Sequence, residues 1–295
     1  MQVDYSDRVI RELNKEIEYV LNPAGLLYRV FGRAKSEYSL DKKVKKEPGK
    51  YTPDGKNIQD FLGVRITLYF ADDIDVAVEL LKENFVFLSE DSVIDKPEGD
   101  VFSARRCNLI FELPDSFDVV YPRKFESIID KTFEVQFRTV LSEGWHEVEH
   151  DLRYKAKEDW QGHDDLSRAL NGIYATLETS DWGMIKLFEE LSYRHYKSGN
   201  LDEMLKTKFR LRLTSGLSDP VREIVQADNS ILKKVFRAPR TTIVKDLSFV
   251  CKFVPLTPDV LIQVINRKII KDDKIKETEV DVLKVQLDSY ESSQS

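Results

Sequence analysis

Two short segments constrain this chain more than anything else in it. Over residues 62–70 the side chains alternate, with Leu62, Val64, Ile66 and Leu68 on one side and Gly63, Arg65 and Thr67 on the other. Residues 132–139 repeat the pattern, with Val135 and Phe137 opposed to Glu134, Gln136 and Arg138. Successive side chains of a strand point to opposite faces, so each segment predicts a strand with one face on a core and one on something polar. Three polar groups on one face of an otherwise apolar strand fit a lined cleft. An edge strand facing water is the alternative.

Other elements follow from periodicity and breakers. Residues 6–21 read as an amphipathic helix, with Val9, Leu13, Ile17 and Val20 on one face, ended by Asn22-Pro23-Ala24-Gly25. Residues 26–31 read as a buried strand that stops at Gly32, residues 36–46 and 73–84 as helices, and the stretches near 85–88 and 107–113 as weaker strands. Residues 141–155 predict a helix with Leu141, Trp145, Val148 and Leu152 as its apolar stripe, and a long helical region follows from about 165 to 196. Lys197-Ser198-Gly199-Asn200 is the best linker candidate, dividing the chain into residues 1–198 and an accessory region, residues 199–295.

Composition excludes several function classes. A net charge of −7 argues against a general nucleic-acid binder while leaving room for a local basic site. Cys107 and Cys251 stand alone without CxxC spacing, so no disulfide framework is expected, and a reducing cytoplasm is the expected compartment. No basic region leads into an apolar one at the N-terminus, and no apolar run is long enough to span a bilayer.

Three constellations carry chemistry. Lys35, Ser39 and Lys43 are spaced four apart, so a helix beginning at Lys35 would carry them on one face, with Arg33 just before it at a strand end. A guanidinium, two ammoniums, a hydroxyl and a helix N-terminus suit a polyphosphate, although a solvated basic helix face has the same spacing. Asp60 stands just before one polar-faced strand, and Glu134 lies within the other. One carboxylate beside each of two strands, with a basic cradle, is the equipment for metal-assisted phosphoryl transfer, because magnesium takes carboxylate and phosphate oxygens. A fourth pattern, His146-Glu147-Val148-Glu149-His150, fits the helical H-E-x-x-H of zinc proteases, but Arg153 and Ala156 occupy the positions where the longer signature needs Gly and His.

Taken in order, Gly32-Arg33-Ala34-Lys35-Ser36, Asp60-Phe61-Leu62-Gly63-Val64-Arg65-Ile66, Glu134-Val135-Gln136-Phe137-Arg138-Thr139 and the block from Trp145 to Lys155 resemble the synthetase domain of the RelA/SpoT family. The last block is similar to the form in small single-domain synthetases, and it accounts for the H-E-x-x-H without zinc. The resemblance covers about residues 5–195. It implies an α+β fold, a mixed β-sheet flanked by helices and related to nucleotidyltransferases, followed by a smaller, mostly helical C-terminal region. It implies transfer of pyrophosphate from ATP to a ribose 3′-hydroxyl with release of AMP, making an alarmone from GDP or GTP. By position, Arg33, Lys35, Ser39 and Lys43 would hold the ATP phosphates, and Asp60 would bind Mg2+. Glu134 would bind Mg2+ or take the acceptor proton, and Arg65, Gln136 and Arg138 would line the acceptor cleft.

Two departures from the family pattern matter. Where relatives carry Gly-Tyr and a nearby His, this chain has residues 100–106, in which Phe102 would stack on the acceptor base and Arg106 would take the His position. Fewer than about thirty-five residues precede the first motif, too few for the hydrolase domain of bifunctional members. Residues 205–245 are strongly basic, which fits either a solvated surface or a docking site for RNA or a partner. Toxin-type pyrophosphorylation of the tRNA 3′ end, as in phage defence, is therefore the alternative activity. The expected partners are nucleotide substrates, with tRNA as the alternative acceptor and no membrane; a homo-oligomer is compatible with the family.

Overall fold

The computed structural model describes residues 2–95 and 107–293. Two compact units make up the chain: one from Met1–Glu18, Tyr28–Ile74 and Leu81–Asp181, the other from Tyr19–Leu27, Asp75–Leu80 and Trp182–Ser295.

The first unit is built on a five-stranded mixed sheet. β1 (Tyr28–Ala34) pairs antiparallel with β2 (Leu62–Leu68), and β2 runs parallel to β5 (Thr132–Thr139). β5 pairs antiparallel with β4 (Cys107–Glu112), and β4 with β3 (Phe87–Ile94), giving the order β1-β2-β5-β4-β3. β5 is therefore the central strand, and its row of Glu134, Gln136 and Arg138 lies on a fully paired sheet rather than an edge. β1 runs three residues further than the apolar run implied, because pairing with β2 continues through Gly32, Arg33 and Ala34. Arg33 is the next-to-last residue of the strand.

One face of the sheet is apolar. Leu62, Val64, Ile66 and Leu68 from β2 and Phe133, Val135 and Phe137 from β5 are buried there, each contributing roughly 1.5–3 kcal/mol. Leu109 and Phe111 of β4 extend it, with the rings of Phe111 and Phe133 stacked at 5.5 Å. α1 (Gln2–Leu21) crosses this face closely at Gly32. A Cβ at that position would meet Asn14 Oδ1 at 2.6 Å and Ile10 Cγ2 at 2.7 Å, so only glycine admits the helix.

α2 (Glu37–Lys46) follows β1 and α3 (Asp73–Asn84) follows β2. α4 (Val140–Glu149) starts at a capping box in which the Thr139 hydroxyl accepts from the Ser142 N–H and the Ser142 hydroxyl accepts from the Thr139 N–H. The Thr139 hydroxyl also donates to Asp181 of α5 (Asp164–Ser198) at 2.7 Å. The expected stripe of α4 is corrected. Trp145 is buried, but Leu141 is half-buried, and Val148 and Leu152 are exposed. A π turn over His150–Tyr154 ends the regular helix and breaks the assumed register.

The second unit is helical: α6 (Leu201–Phe209), α7 (Asp219–Ala227), α8 (Asn229–Arg237), α9 (Arg240–Val250), α10 (Pro258–Ile265), α11 (Asp273–Glu277) and α12 (Asp281–Ser293). Its core includes Leu205, Phe209, Val225, Val235, Ile243, Leu247, Leu261 and Ile265. Many of its cations have structural partners. Arg240 is buried and donates to the Phe209 carbonyl, Arg222 pairs with Asp202, Lys206 with Glu203, and Lys245 with Glu79. The basic stretch is thus not one continuous cationic surface; Lys233 and Arg237 of α8 remain exposed. Among the described residues, no helix is long and apolar enough to cross a membrane.

Candidate active site

The polar face of the first unit's sheet is laid out in rows set by strand register. Arg33 of β1, Gly63 of β2 and Glu134 of β5 form one row. Phe31, Arg65, Gln136 and Asn108 form the next, and Thr67 and Arg138 lie one step further along. Gly63 leaves the space between Arg33 and Glu134 open, since a Cβ there would have only the Arg33 carbonyl oxygen nearby, at 3.8 Å. A cavity of about 140 Å3 lies over these rows, lined by Arg33, Lys35, Asp60, Gly63, Arg65, Glu134, Gln136, Glu147 and the exposed ring of Phe31.

Asp60 and the lysines meet at one corner of this cavity. Lys35 stands before α2 rather than on it, because Ser36 is the N-cap and accepts from the Ser39 N–H at 3.3 Å. The backbone N–H of Lys35 is held by the Phe61 carbonyl at 2.8 Å. From opposite ends of the segment, Lys35 Nζ and Lys43 Nζ converge on Asp60, at 2.7 Å and 2.8 Å from its carboxylate oxygens. Burial alone would raise the Asp60 carboxyl, but the two ammoniums outweigh it and hold it below the usual carboxylate range. Lys43 answers in kind: burial opposes its charge, and Asp60 more than restores it.

Beyond this corner a second, larger cavity of about 870 Å3 shares Arg33, Lys35 and Asp60 with the first. That volume falls in the range of ligand clefts, roughly 300–1,000 Å3. Ser39, Lys42, Lys43 and Lys46 of α2 line one side, and His150, Tyr154, Lys155 and Lys157 the other. Lys46 Nζ donates to the Tyr154 hydroxyl at 3.1 Å, and Lys157 Nζ lies 4.9 Å from the Tyr154 ring centroid. A lining so rich in cations suits a polyphosphate.

Glu134 is held by neutral donors. Asn108 Nδ2 donates to it at 3.1 Å and Gln136 Nε2 at 2.9 Å. Gln136 therefore orients Glu134 as well as lining the cavity. Arg65 does not stand open to an acceptor: it donates to Glu143 at 2.6 Å and to Glu147, both from α4. Arg138 is half-buried, and desolvation and then the charge of Arg65 pull its guanidinium down, opposed by Glu143. Phe102 and Arg106, expected to serve the acceptor, lie outside the described residues.

The H-E-x-x-H motif does not assemble a metal centre. Burial, then the charges of Arg138 and Arg65, push His146 down to about 3, so its ring is neutral, and it packs edge-on against Trp145 and Tyr174. His150 instead stacks on Tyr154 and contacts Asp151 at 2.9 Å. Among the described residues, no group of three or more His, Cys, Asp or Glu side chains is placed to hold a metal ion. Two carboxylates on one cavity, Asp60 and Glu134, fit a different ion. Mg2+ binds by one or two carboxylates and takes its other oxygens from phosphate and water.

Sequence reasoning missed Glu143, Glu147, Asn108, Lys42, Lys46 and Lys157. The signal available for the lysines was their shared helix face or proximity to the last motif. For Glu143 and Glu147 it was the (i, i+4) spacing that puts both on one side of α4.

A model of the region found in RelA / SpoT proteins matches residues 32–159, which span the cavity-lining segments described above. No curated protein matches the chain. Similar solved structures include small alarmone synthetase 2 from Bacillus subtilis, 24% identical with a TM-score of 0.44, over 61% of this chain and 92% of that one. Small alarmone synthetase 1 from Bacillus subtilis bound to its product pppGpp is 21% identical with a TM-score of 0.48, over 63% and 94%. A GTP pyrophosphokinase family protein from Streptococcus pneumoniae is 20% identical with a TM-score of 0.44, over 62% and 88%.

Proposed function

We propose that this chain, whose residues 32–159 match the region found in RelA / SpoT proteins, is an ATP-dependent pyrophosphokinase acting on the 3′-hydroxyl of GDP or GTP. The observation that carries this reading is the single cavity that brings Glu134 and Asp60 together with Arg33 and Lys35, next to a larger cationic cleft.

In this reading Arg33, Lys35, Ser39 and Lys43 bind the ATP phosphates, with Lys42 and Lys46 adding to the potential that draws them in. The phosphates replace Asp60 as partners of Lys35 and Lys43, which frees the Asp60 carboxylate. Asp60 and Glu134 are the residues that would hold Mg2+, which supplies charge neutralisation on the phosphate oxygens. Glu134, oriented by Asn108 and Gln136, is placed to accept the proton of the 3′-hydroxyl as its oxygen attacks the β-phosphorus. The bond between the α–β bridging oxygen and the β-phosphorus breaks, AMP leaves with that oxygen, and pyrophosphate ends on the acceptor. Arg65 and Arg138 give the acceptor end two cations, one of them already balanced by Glu143 and Glu147.

The test is incubation with ATP labelled in the γ-phosphate and a panel of GDP, GTP, ADP and tRNA. Label in GDP or GTP, with AMP formed in equal amount, is the expected result. Label confined to tRNA would move the acceptor to the RNA 3′ end, and label in none of the four would remove the pyrophosphokinase reading.

A further inference from the structure

Phe31 belongs to the cavity, yet the chemistry proposed above does not use it. On the polar face of β1, β2 and β5, the three strands that line the cavity, it is the single apolar side chain. The β1–β2 register sets it opposite Arg65. Its ring is 53% exposed and forms part of the cavity wall. A lone phenylalanine on an outer surface needs no explanation. One that walls the same cavity as Asp60 and Glu134 offers a flat apolar face where everything around it is polar.

This end of the cavity is not suited to phosphate. Arg65 is already balanced by two carboxylates, Glu143 and Glu147. The cations that suit phosphate begin at Lys35, two residues beyond Arg33 in the other direction, where Lys35 and Lys43 surround Asp60. Phe31 lies two residues before Arg33, about 6.7 Å along an extended strand. That is the room a ribose takes between a phosphate or a reacting hydroxyl and its base. Glu147 also lines the cavity, with its side chain 52% exposed. Arg65 takes only its Oε1, which leaves Oε2 to accept from a ligand.

We propose, on the basis of the pyrophosphokinase reading, that Phe31 and Glu147 form a base subsite that selects an amino-bearing purine. The ring of Phe31 stacks on the base, and the Glu147 carboxylate accepts from the 6-amino group of adenine or from N1–H and the 2-amino group of guanine. Hypoxanthine in place of adenine, or xanthine in place of guanine, sets a carbonyl oxygen against that carboxylate, and the repulsion is what discriminates.

Calorimetry with ATP, ITP, GDP and XDP, each added alone with Mg2+, tests this on the full chain. Phe31→Ala should weaken one of the amino-bearing nucleotides by about five- to hundredfold, the range for a lost base stack. Phe31→Leu should do the same, while Phe31→Tyr, which keeps a ring, should bind like wild type. Glu147→Gln replaces one acceptor oxygen by an N–H donor, so preference should turn toward the oxo base. A turn from ATP to ITP assigns the subsite to the donor, and a turn from GDP to XDP assigns it to the acceptor. Loss of a merely structural contact would weaken both members of a pair alike. Unchanged binding in Phe31→Ala and Phe31→Leu, or unchanged ATP/ITP and GDP/XDP ratios in Glu147→Gln, would overturn the proposal, as would a wild type that binds none of the four. Should Phe31→Ala fail to fold, the comparison of Phe31→Leu with Phe31→Tyr decides the stack. The label-transfer assay on the same wild-type protein keeps the two readings apart. Transfer with indifferent binding in the variants overturns the base subsite alone, and binding that follows the base without any transfer removes the pyrophosphokinase reading alone.

Discussion

Arg33 and Glu134 belong to one row of the sheet, separated by a strand position that has no side chain. Gly63 pairs with Arg33 on one side and with Glu134 on the other, and the cavity floor is the space its missing side chain leaves. Gly63→Leu should therefore abolish transfer, with a loss of roughly 10²-fold or more in kcat/KM, by filling the place where the reacting groups meet. Thermal stability should change little, because the added Cβ clashes with nothing. Steady-state kinetics beside a melting curve separates the two, and a variant that unfolds would assign Gly63 a structural role instead.

Glu134→Gln tests the proton acceptor. The side chain keeps its shape and one acceptor oxygen for Asn108 or Gln136, so the strand should fold as before. Turnover should fall roughly 10²-fold or more if the carboxylate takes the proton or holds the metal. Near wild-type turnover in this variant would exclude both roles.

Asp60→Asn should have opposite effects on binding and on chemistry. In the wild type, Asp60 pairs with Lys35 and Lys43, the proposed phosphate ligands. Removing its charge raises the local potential, so metal-free ATP should bind several-fold more tightly in calorimetry with a chelator present. Transfer should nonetheless slow, and the Mg2+ concentration for half-maximal rate should rise. If metal-free ATP bound no better, the two lysines would not be phosphate ligands.

His146 makes stability depend on pH in a stated direction. Its ring is pushed from the ordinary histidine value of 6.5 down to about 3, first by burial and then by Arg138 and Arg65. Between those limits the unfolded chain holds a proton that the folded chain does not, so stability falls as pH falls below 6.5. The slope approaches about 1.4 kcal/mol per pH unit once the unfolded imidazole is fully charged. His146→Gln should flatten the denaturation midpoint between about pH 6 and pH 4 relative to wild type. An unchanged slope would mean that other groups carry the dependence.

Much of the site was legible in the chain itself. Period-two alternation marked β2 and β5 and sorted Arg65, Glu134, Gln136 and Arg138 onto polar faces, because a strand's geometry is local and a single residue of slip would expose its core. Ser36 as a helix start, and Gly25 as a turn with φ of 69°, were legible for the same reason: caps and left-handed turns depend on a few neighbouring atoms. The family motifs located the segments that line the cavity, while Phe102 and Arg106, expected to serve the acceptor, lie outside the described residues.

Tertiary structure alone decided what those residues touch. Periodicity assigns a face to Glu134 but cannot say that β5 is the central strand, since pairing order is set by contacts between distant segments. Spacing put Lys35 and Lys43 on one helix face, yet they converge because both reach Asp60, 25 and 17 residues away in sequence, with Lys35 outside the helix altogether. The predicted stripe on α4 failed at Leu152 because a π turn over His150–Tyr154 changes the angle per residue, which no period of 3.6 can anticipate. Arg65 is bound to Glu143 and Glu147, 78 and 82 residues on, an attraction between opposite charges that exists only once β2 and α4 lie side by side.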